Sequence, residues 1–314
     1  QYNMKNAWEL DRIMDVANEK DIYINLIIHN HGKFSTYCDE EWNYNPFNIR
    51  NGGYLRLPDY YFTDKRAKED FRDLMRYFIA RWGYSTRVFA WELWSELNLT
   101  GSRNNQWHYH RNPAVVAWHK EMGPAVKEMD PYDHMVSTHV SSDYKEQNPD
   151  IISLDGMDLC PVDAYHGSDD PVHIVELLEK TAEFNNMYNK PVIVTEFGGA
   201  WHGQTAKHLE ETLHAALWSS TCIPIGATPL YWWWHLIEEQ NFYPKYAGIQ
   251  KFMKGVDRCD PSLLMFKPDL TIDGERARNV KIQSMKSGVF AIGWIYRRDF
   301  ENIDPSDGEQ TSGL

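Results

Sequence analysis

Val88-Phe-Ala-Trp-Glu-Leu-Trp94 has the length and apolar character of a buried β-strand, and it runs straight into Ser95-Glu96. Further along, Pro191-Val-Ile-Val-Thr-Glu196 repeats the arrangement, a β-branched apolar stretch closed by a glutamate. A carboxylate directly after such a strand sits at the mouth of a sheet, between solvent and core. Two strands that present a glutamate at the same end decide how the rest of the chain is read.

Outward from these two strands the pattern alternates. Apolar residues at helical spacing predict helices over 6–19, 64–81, 113–129, 171–188, 206–219 and 246–256. Between them, strands are predicted over 22–28, 88–94, 135–139, 157–165, 191–196 and 226–234. Residues 32–63 form a long loop rich in Asn, Gly, Pro and Tyr, a length that in a compact domain is usually functional or carries small elements of its own. Six strands alternating with helices imply a parallel α/β sheet. Periodicity alone does not separate a doubly wound sheet from a barrel. The chemistry-bearing residues end several different strands, as on the C-terminal face of a (β/α)₈ TIM barrel. No Gly-rich phosphate turn comes after an early strand, as a doubly wound nucleotide fold would require. After Cys259 the texture changes to short strands near 263–266, 280–282 and 289–295, then a polar tail from Asp304. The expected division is a barrel over 1–258, and over 259–314 the start of a small β-sandwich-like domain.

Composition narrows the function classes. Of 314 residues, 14% are aromatic, including 13 Trp and 18 Tyr; flat rings suit sugar clefts as well as a large core. The formal charge of −13 argues against a nucleic-acid or anionic-membrane surface. No apolar run approaches the roughly 18 residues of a membrane span, and no signal peptide is visible. Cys38, Cys160, Cys222 and Cys259 form no C-x-x-C pair, which speaks against a zinc cluster and fits free thiols or one or two disulfides. No metal or cofactor is expected.

Glycoside hydrolysis needs two carboxyl groups flanking the scissile bond, one to attack or activate and one to carry a proton. Glu96 and Glu196 fit that requirement. Either one alone reads as readily as a helix cap or an arginine partner.

At this point the sequence resembles a known family. Trp91-Glu-Leu-Trp-Ser-Glu96 is similar to the fourth-strand motif of clan A glycoside hydrolases, and Pro191-Val-Ile-Val-Thr-Glu-Phe-Gly198 to their seventh-strand motif. The likeness extends to Tyr2-Asn-Met-Lys-Asn-Ala-Trp-Glu-Leu-Asp11 and Arg76-Tyr-Phe-Ile-Ala-Arg-Trp-Gly-Tyr84, covers most of residues 1–258, and points to the family 5 cellulase/mannanase-like enzymes of bacterial multidomain type. It implies Glu96 as acid/base, Glu196 as nucleophile, and retention with the carboxyls about 5 Å apart. It also implies that the six strands are the third to eighth of the barrel, with the first two upstream. In one place the sequence departs: Ser95 stands where the family usually has an Asn that bonds the sugar 2-hydroxyl, and a hydroxyl has one donor where an amide has two.

The supporting residues leave alternatives open. Tyr165 ends a strand beside His166; the resemblance makes it a partner of the nucleophile, whereas by itself it packs at a strand end. His29 and His31 form a His-x-His pair without a third ligand at metal spacing, and the resemblance makes them sugar-site histidines. His139 lines the same mouth or is a satisfied structural histidine. In Tyr231-Trp-Trp-Trp234, strand alternation puts Trp232 and Trp234 on one side and Trp233 on the other. Trp234, with Trp232 deeper, is then the stacking floor, Trp233 is structural, and Trp201 flanks the cleft. Asn98-Leu-Thr100 matches a glycosylation sequon but lies too close to Glu96, and is read as chance. Trp107-His-Tyr-His110 contacts substrate or forms an exposed aromatic loop.

The leading expectation is a secreted or cell-surface enzyme that cleaves β-linked mannan or glucan, endo more than exo, with carbohydrate as partner. Secretion is inferred from the polymeric substrate alone. The alternative is a catalytically silent barrel that binds glycan. A third reading, a His-rich metal hydrolase, requires stoichiometric metal.

Overall fold

A computed structural model describes residues 2–102, 108–268, 271–272, 275–276 and 280–297. Trp107 and the polar tail from Asp304 lie outside the described residues. The chain divides into two compact units, 1–165 with 183–197, and 166–182 with 198–314.

The first unit holds α1 (Met4–Lys20), β1 (Ile24–Asn30), α2 (Lys65–Trp82), β2 (Val88–Ser95), α3 (Pro113–Met129), β3 (Met135–Ser137), α4 (Pro149–Ile152), β4 (Cys160–Ala164) and β5 (Val192–Phe197). Helix α5 (His173–Asn185) contributes residues to both units. Helix starts obey their capping residues. Asn3 accepts from the backbone of Lys5 and Asn6, Asp64 from Ala67, and Asn112 from Ala114 with Pro113 at the first helical position.

Among the described residues, every strand pair in this unit is parallel. β1 pairs β2, β2 pairs β3, and β4 pairs β5. A single bridge from Val140 to Val162 joins the residues after β3 to β4. Five adjacent parallel strands in chain order therefore carry the site, and the parallel α/β architecture expected of a barrel is met to that extent. β1 forms the edge, with Ile27 47% exposed, and Trp8, Ile13 and Val16 of α1 are exposed as well.

The core of this unit is aromatic. Phe34, Tyr61, Phe62, Phe71, Trp94 and Trp118 are each at most 1% exposed. Their rings meet edge-on or tilted, as in Phe71–Trp118 at 4.7 Å and Phe62–Trp94 at 4.8 Å. Much of the tryptophan and tyrosine content is thus spent on packing. The 32–63 loop is ordered by four short 3₁₀ turns and sends Phe34, Tyr61 and Phe62 into this core.

The second unit contains α6 (Ala206–Thr221), α7 (Trp234–Glu239) and α8 (Tyr243–Phe252). β6 (Leu264–Met265), β9 (Val280–Lys286) and β10 (Ala291–Arg297) form an antiparallel sheet in the order β10-β9-β6. β7 (Thr271–Ile272) and β8 (Glu275–Arg276) form a small hairpin. Arg258 secures the C-terminal end of α6, donating to the carbonyls of Thr221, Ile223 and Ile225.

The strand expected over 226–234 is a correction, because no strand forms there. Pro229 cannot donate to a ladder, and α7 opens at Trp234. None of the four cysteines is in a disulfide.

Phe71→Ala removes a ring that is fully buried against Trp118. The expected cost is about 3–5 kcal/mol, read as a fall in the urea midpoint with an unchanged m-value.

Candidate active site

The site rests on a layer of polar side chains drawn from successive strands. Asn25 of β1 donates to Glu92 Oε2 of β2. Glu92 Oε1 meets His139 Nδ1 at 2.6 Å, two residues past β3. His139 Nε2 lies 3.4 Å from Asp163 Oδ1 of β4, and Thr195 Oγ1 of β5 donates to the same carboxylate oxygen at 3.3 Å. Glu92 and Asp163 are fully buried and His139 is 1% exposed. Burial alone would discharge the imidazole. The charges of Asp163 and Glu92 outweigh that and hold it well above its ordinary range, so it is an imidazolium between two carboxylates. Asp163 is itself pushed up to about 6, by burial first, with His139 pulling the other way.

Glu96 stands one residue beyond β2 in the left-handed region, φ 50° and ψ 49°. A non-glycine residue there is strained, and such strain gathers at functional sites. Around it, the Leu97 N–H donates to the His139 carbonyl at 3.0 Å and the Leu99 N–H to the Glu96 carbonyl at 3.0 Å. The turn aims the carboxylate at His31, whose Nδ1 is 2.9 Å from Glu96 Oε2. The other ring nitrogen, Nε2, is 2.8 Å from Asp39 Oδ2. Burial opposes charge on His31, but Glu96 and Asp39 together raise its affinity for a proton.

Glu196 is the last residue but one of β5, where Asp163 pairs with it in register. Tyr165 Oη donates to Glu196 Oε2 at 2.9 Å. Burial first, then the charges of Asp163 and Glu96, push Glu196 up to about 8, against the pull of His139 and the tyrosine hydroxyl. Glu96 and Glu196 are thus close enough for one charge to weigh on the other.

The structure brings Glu96, Glu196, Tyr165 and His31 together and corrects two other placements. His29 is not at the cleft. It is 6% exposed, bonded to Tyr61 Oη at 2.8 Å, and boxed by Phe34, Phe71 and Trp94. His139 is not free to touch a sugar, since both its nitrogens face carboxylates. The alternation that put Trp232 and Trp234 on one side has no strand to rest on. The two rings are 45% and 70% exposed in the second unit. Trp233 there is held by its Nε1, which donates to the Gly198 carbonyl at 2.6 Å. Trp201 and His166 likewise belong to the second unit, the first 75% exposed and the second 7%. Ser95 is 6% exposed, and its carbonyl accepts from the His31 N–H at 3.1 Å. The Asn98 amide is buried and spent on Ser141, which agrees with reading its sequon as chance.

Sequence reasoning missed Asp163, Glu92, Asn25 and Asp39. For the first two a signal existed, an acid inside an apolar strand. For Asp39, in the loop, there was none. Among the described residues, two groups of donors have ligand atoms within 4.8 Å of one another, His139 with Asp163 and Glu196, and His31 with Cys38 and Asp39.

No family model matches the chain, and no curated protein matches it. Solved structures do. An endo-β-1,4-mannanase from Thermotoga petrophila aligns with TM-score 0.54 and 14% identity over 92% of this chain and 75% of that one. An endo-1,4-β-mannanase from Rhizomucor miehei aligns with TM-score 0.50 and 17% identity over 71% and 66%. A glycoside hydrolase family 5 mannosidase from the same organism aligns with TM-score 0.50 and 15% identity over 69% and 60%. The chain is related in fold to family 5 of the clan A glycoside hydrolases. It spans about two thirds of the length of the Rhizomucor mannanase. Among the described residues no helix is long and apolar enough to cross a membrane.

Glu196 and His139 both bind their protons more tightly here than in an unfolded chain. For each, the folded state carries the extra proton, so stability declines as pH rises. For Glu196 that contribution is fully present below the ordinary carboxylate value and is lost as pH climbs towards about 8. Calorimetry is expected to show Tm falling between pH 5 and 8, with a shallower slope in Glu196→Gln, which has no carboxyl to titrate.

Proposed function

We propose that this chain is the catalytic part of a retaining β-glycosidase in which Glu196 is the nucleophile and Glu96 the acid/base. The observation that carries the proposal is the meeting of two strand-end glutamates over one buried charge network, with Tyr165 on Glu196 and His31 on Glu96. In the first step the Glu196 carboxylate attacks the anomeric carbon while the Glu96 carboxyl protonates the departing oxygen. In the second, the Glu96 carboxylate takes a proton from water, which attacks the glycosyl ester and frees Glu196. Burial and the charges of Asp163 and Glu96 push Glu196 up to about 8, while His139 and the Tyr165 hydroxyl pull the other way, so the cycle requires Glu196 to give up its proton as the sugar enters and displaces water.

Substrate class is proposed from the mannanases and mannosidase that share the fold, with β-1,4-mannan as the first polymer to try and β-glucan the second. Endo action and a secreted or surface location are proposed with it, since such polymers do not cross membranes. Residues after 259 are proposed to open an appended β-domain.

Ser95 favours a second reading, a barrel that binds glycan without cleaving it, because a short, buried hydroxyl replaces the amide expected against the 2-hydroxyl. One experiment separates the two. Reducing-sugar release from a β-glycan panel is expected with the wild type and reduced at least about 1,000-fold in Glu196→Gln. In Glu96→Ala, azide is expected to restore turnover of an activated aryl glycoside, with the β-glycosyl azide as product. Glycan binding that is equal in wild type and Glu196→Gln, with no sugar released by either, would favour the silent barrel.

A further inference from the structure

The segment 31–42, directly after β1, folds back on itself. The Glu41 N–H donates to the Gly32 carbonyl at 3.0 Å, and the Trp42 N–H to the Ser35 carbonyl at 3.4 Å. A Cβ on Gly32 would meet the Asp39 carbonyl at 2.9 Å, so glycine is what allows the two limbs this close. The Ser35 hydroxyl accepts from the Cys38 N–H at 3.1 Å and the Tyr37 N–H at 3.3 Å, which fixes the turn bearing the thiol.

This fold places three unlike donors together. His31 Nε2 is 2.8 Å from Asp39 Oδ2, Cys38 Sγ is 4.0 Å from the same oxygen, and all three ligand atoms lie within 4.8 Å of one another. Tetrahedral zinc, with ligands at roughly 2.0–2.3 Å, needs donors about 3.3–3.8 Å apart, a change that small side-chain rotations supply. The site has an entry path, since the Asp39 side chain is 75% exposed while that of His31 is 9%. The far side of the imidazole completes the pattern. Metal-bound histidines usually give their other N–H to a carboxylate, and His31 Nδ1 faces Glu96 Oε2 at 2.9 Å.

We propose that His31, Cys38 and Asp39 form a binding site for a thiophilic divalent cation of the Zn²⁺ class, and that its occupation inhibits the enzyme through Glu96. The inhibition rests on the glycosidase reading above; the binding does not. On binding, the metal forms bonds to His31 Nε2, Cys38 Sγ and an Asp39 oxygen. The thiol proton and the Nε2 proton that faces Asp39 both leave to solvent, and His31 is locked with its Nδ1–H donated to Glu96. Burial and the charges of Asp39 and Glu96 otherwise keep the thiol protonated, pushed up to about 11. A divalent cation reverses that balance. Glu96 Oε2 is then pinned by an imidazole that can no longer turn, so the carboxyl cannot swing to the leaving oxygen. The metal is an inhibitor here, unlike the catalytic metal of a metallohydrolase, so chelation raises activity.

The test uses the full chain, reduced and stripped of metal, titrated with Co²⁺ and then Zn²⁺. One cobalt per chain is expected, with a near-ultraviolet thiolate-to-cobalt charge-transfer band that zinc removes. Cys38→Ser is expected to lose the band, hydrolyse glycan like the wild type in chelator, and need at least about tenfold more Zn²⁺ for half-inhibition. Asp39→Asn, altered at an exposed position, is the second variant and is expected to bind cobalt more weakly. No band in the wild type, or an undiminished band and inhibition in Cys38→Ser, would overturn the proposal. A chain that cleaves no glycan in chelator would count against the glycosidase reading, while the cobalt band would still decide the site.

Discussion

Glu92, His139 and Asp163 hold one another's charge where almost no water reaches, and much of the first unit is arranged around that fact. An isolated buried carboxylate would take up a proton, and an isolated buried imidazole would lose one. Together they keep a carboxylate–imidazolium–carboxylate row, with Asn25 and Thr195 bonded to the outer carboxylates. Such a row is weak evidence for stability, since apolar packing of the same volume often does as well. It is strong evidence for register. Each member comes from a different strand or strand end, and a one-residue slip of any strand would turn its group to the opposite face.

The same row sets the chemistry above it. Asp163 is both the partner of His139 and the charge that, after burial itself, most raises the proton affinity of Glu196. A carboxyl pair that must share a proton unequally needs surroundings that differ, and these do. Glu196 receives the Tyr165 hydroxyl, whereas Glu96 sits in a strained turn facing a histidine that leads out to Asp39. The constraint that fixes strand register and the constraint that tunes the glutamates are one set of atoms.

Much of this was legible in the sequence, for identifiable reasons. β2 and β5 announce themselves by apolar runs closed with glutamate, and α3 by apolar residues at helical spacing. Local signals of that kind survive folding because they report local energetics. The errors came where position along the chain stood in for position in space. Residues 226–234 read as a strand because aromatics favour strands, yet Pro229 removes a ladder donor and the chain turns helical at Trp234. His139, at a strand end, reads equally as a cleft or a structural histidine, and only Glu92 and Asp163, from other strands, decide for the second. Asp39 was invisible, because only the folding back of residues 32–41 carries it to His31.

The central claim is that Glu196 forms a covalent bond to sugar. It is tested most directly by incubation with an activated 2-deoxy-2-fluoro-β-mannoside, and with the glucoside in parallel, and then by mass spectrometry of intact protein and peptides. The account predicts one fluoroglycosyl group per chain, on the peptide containing Glu196, in the wild type and not in Glu196→Gln. A label on another residue, or full glycan hydrolysis by a chain that never acquires a label, would contradict it.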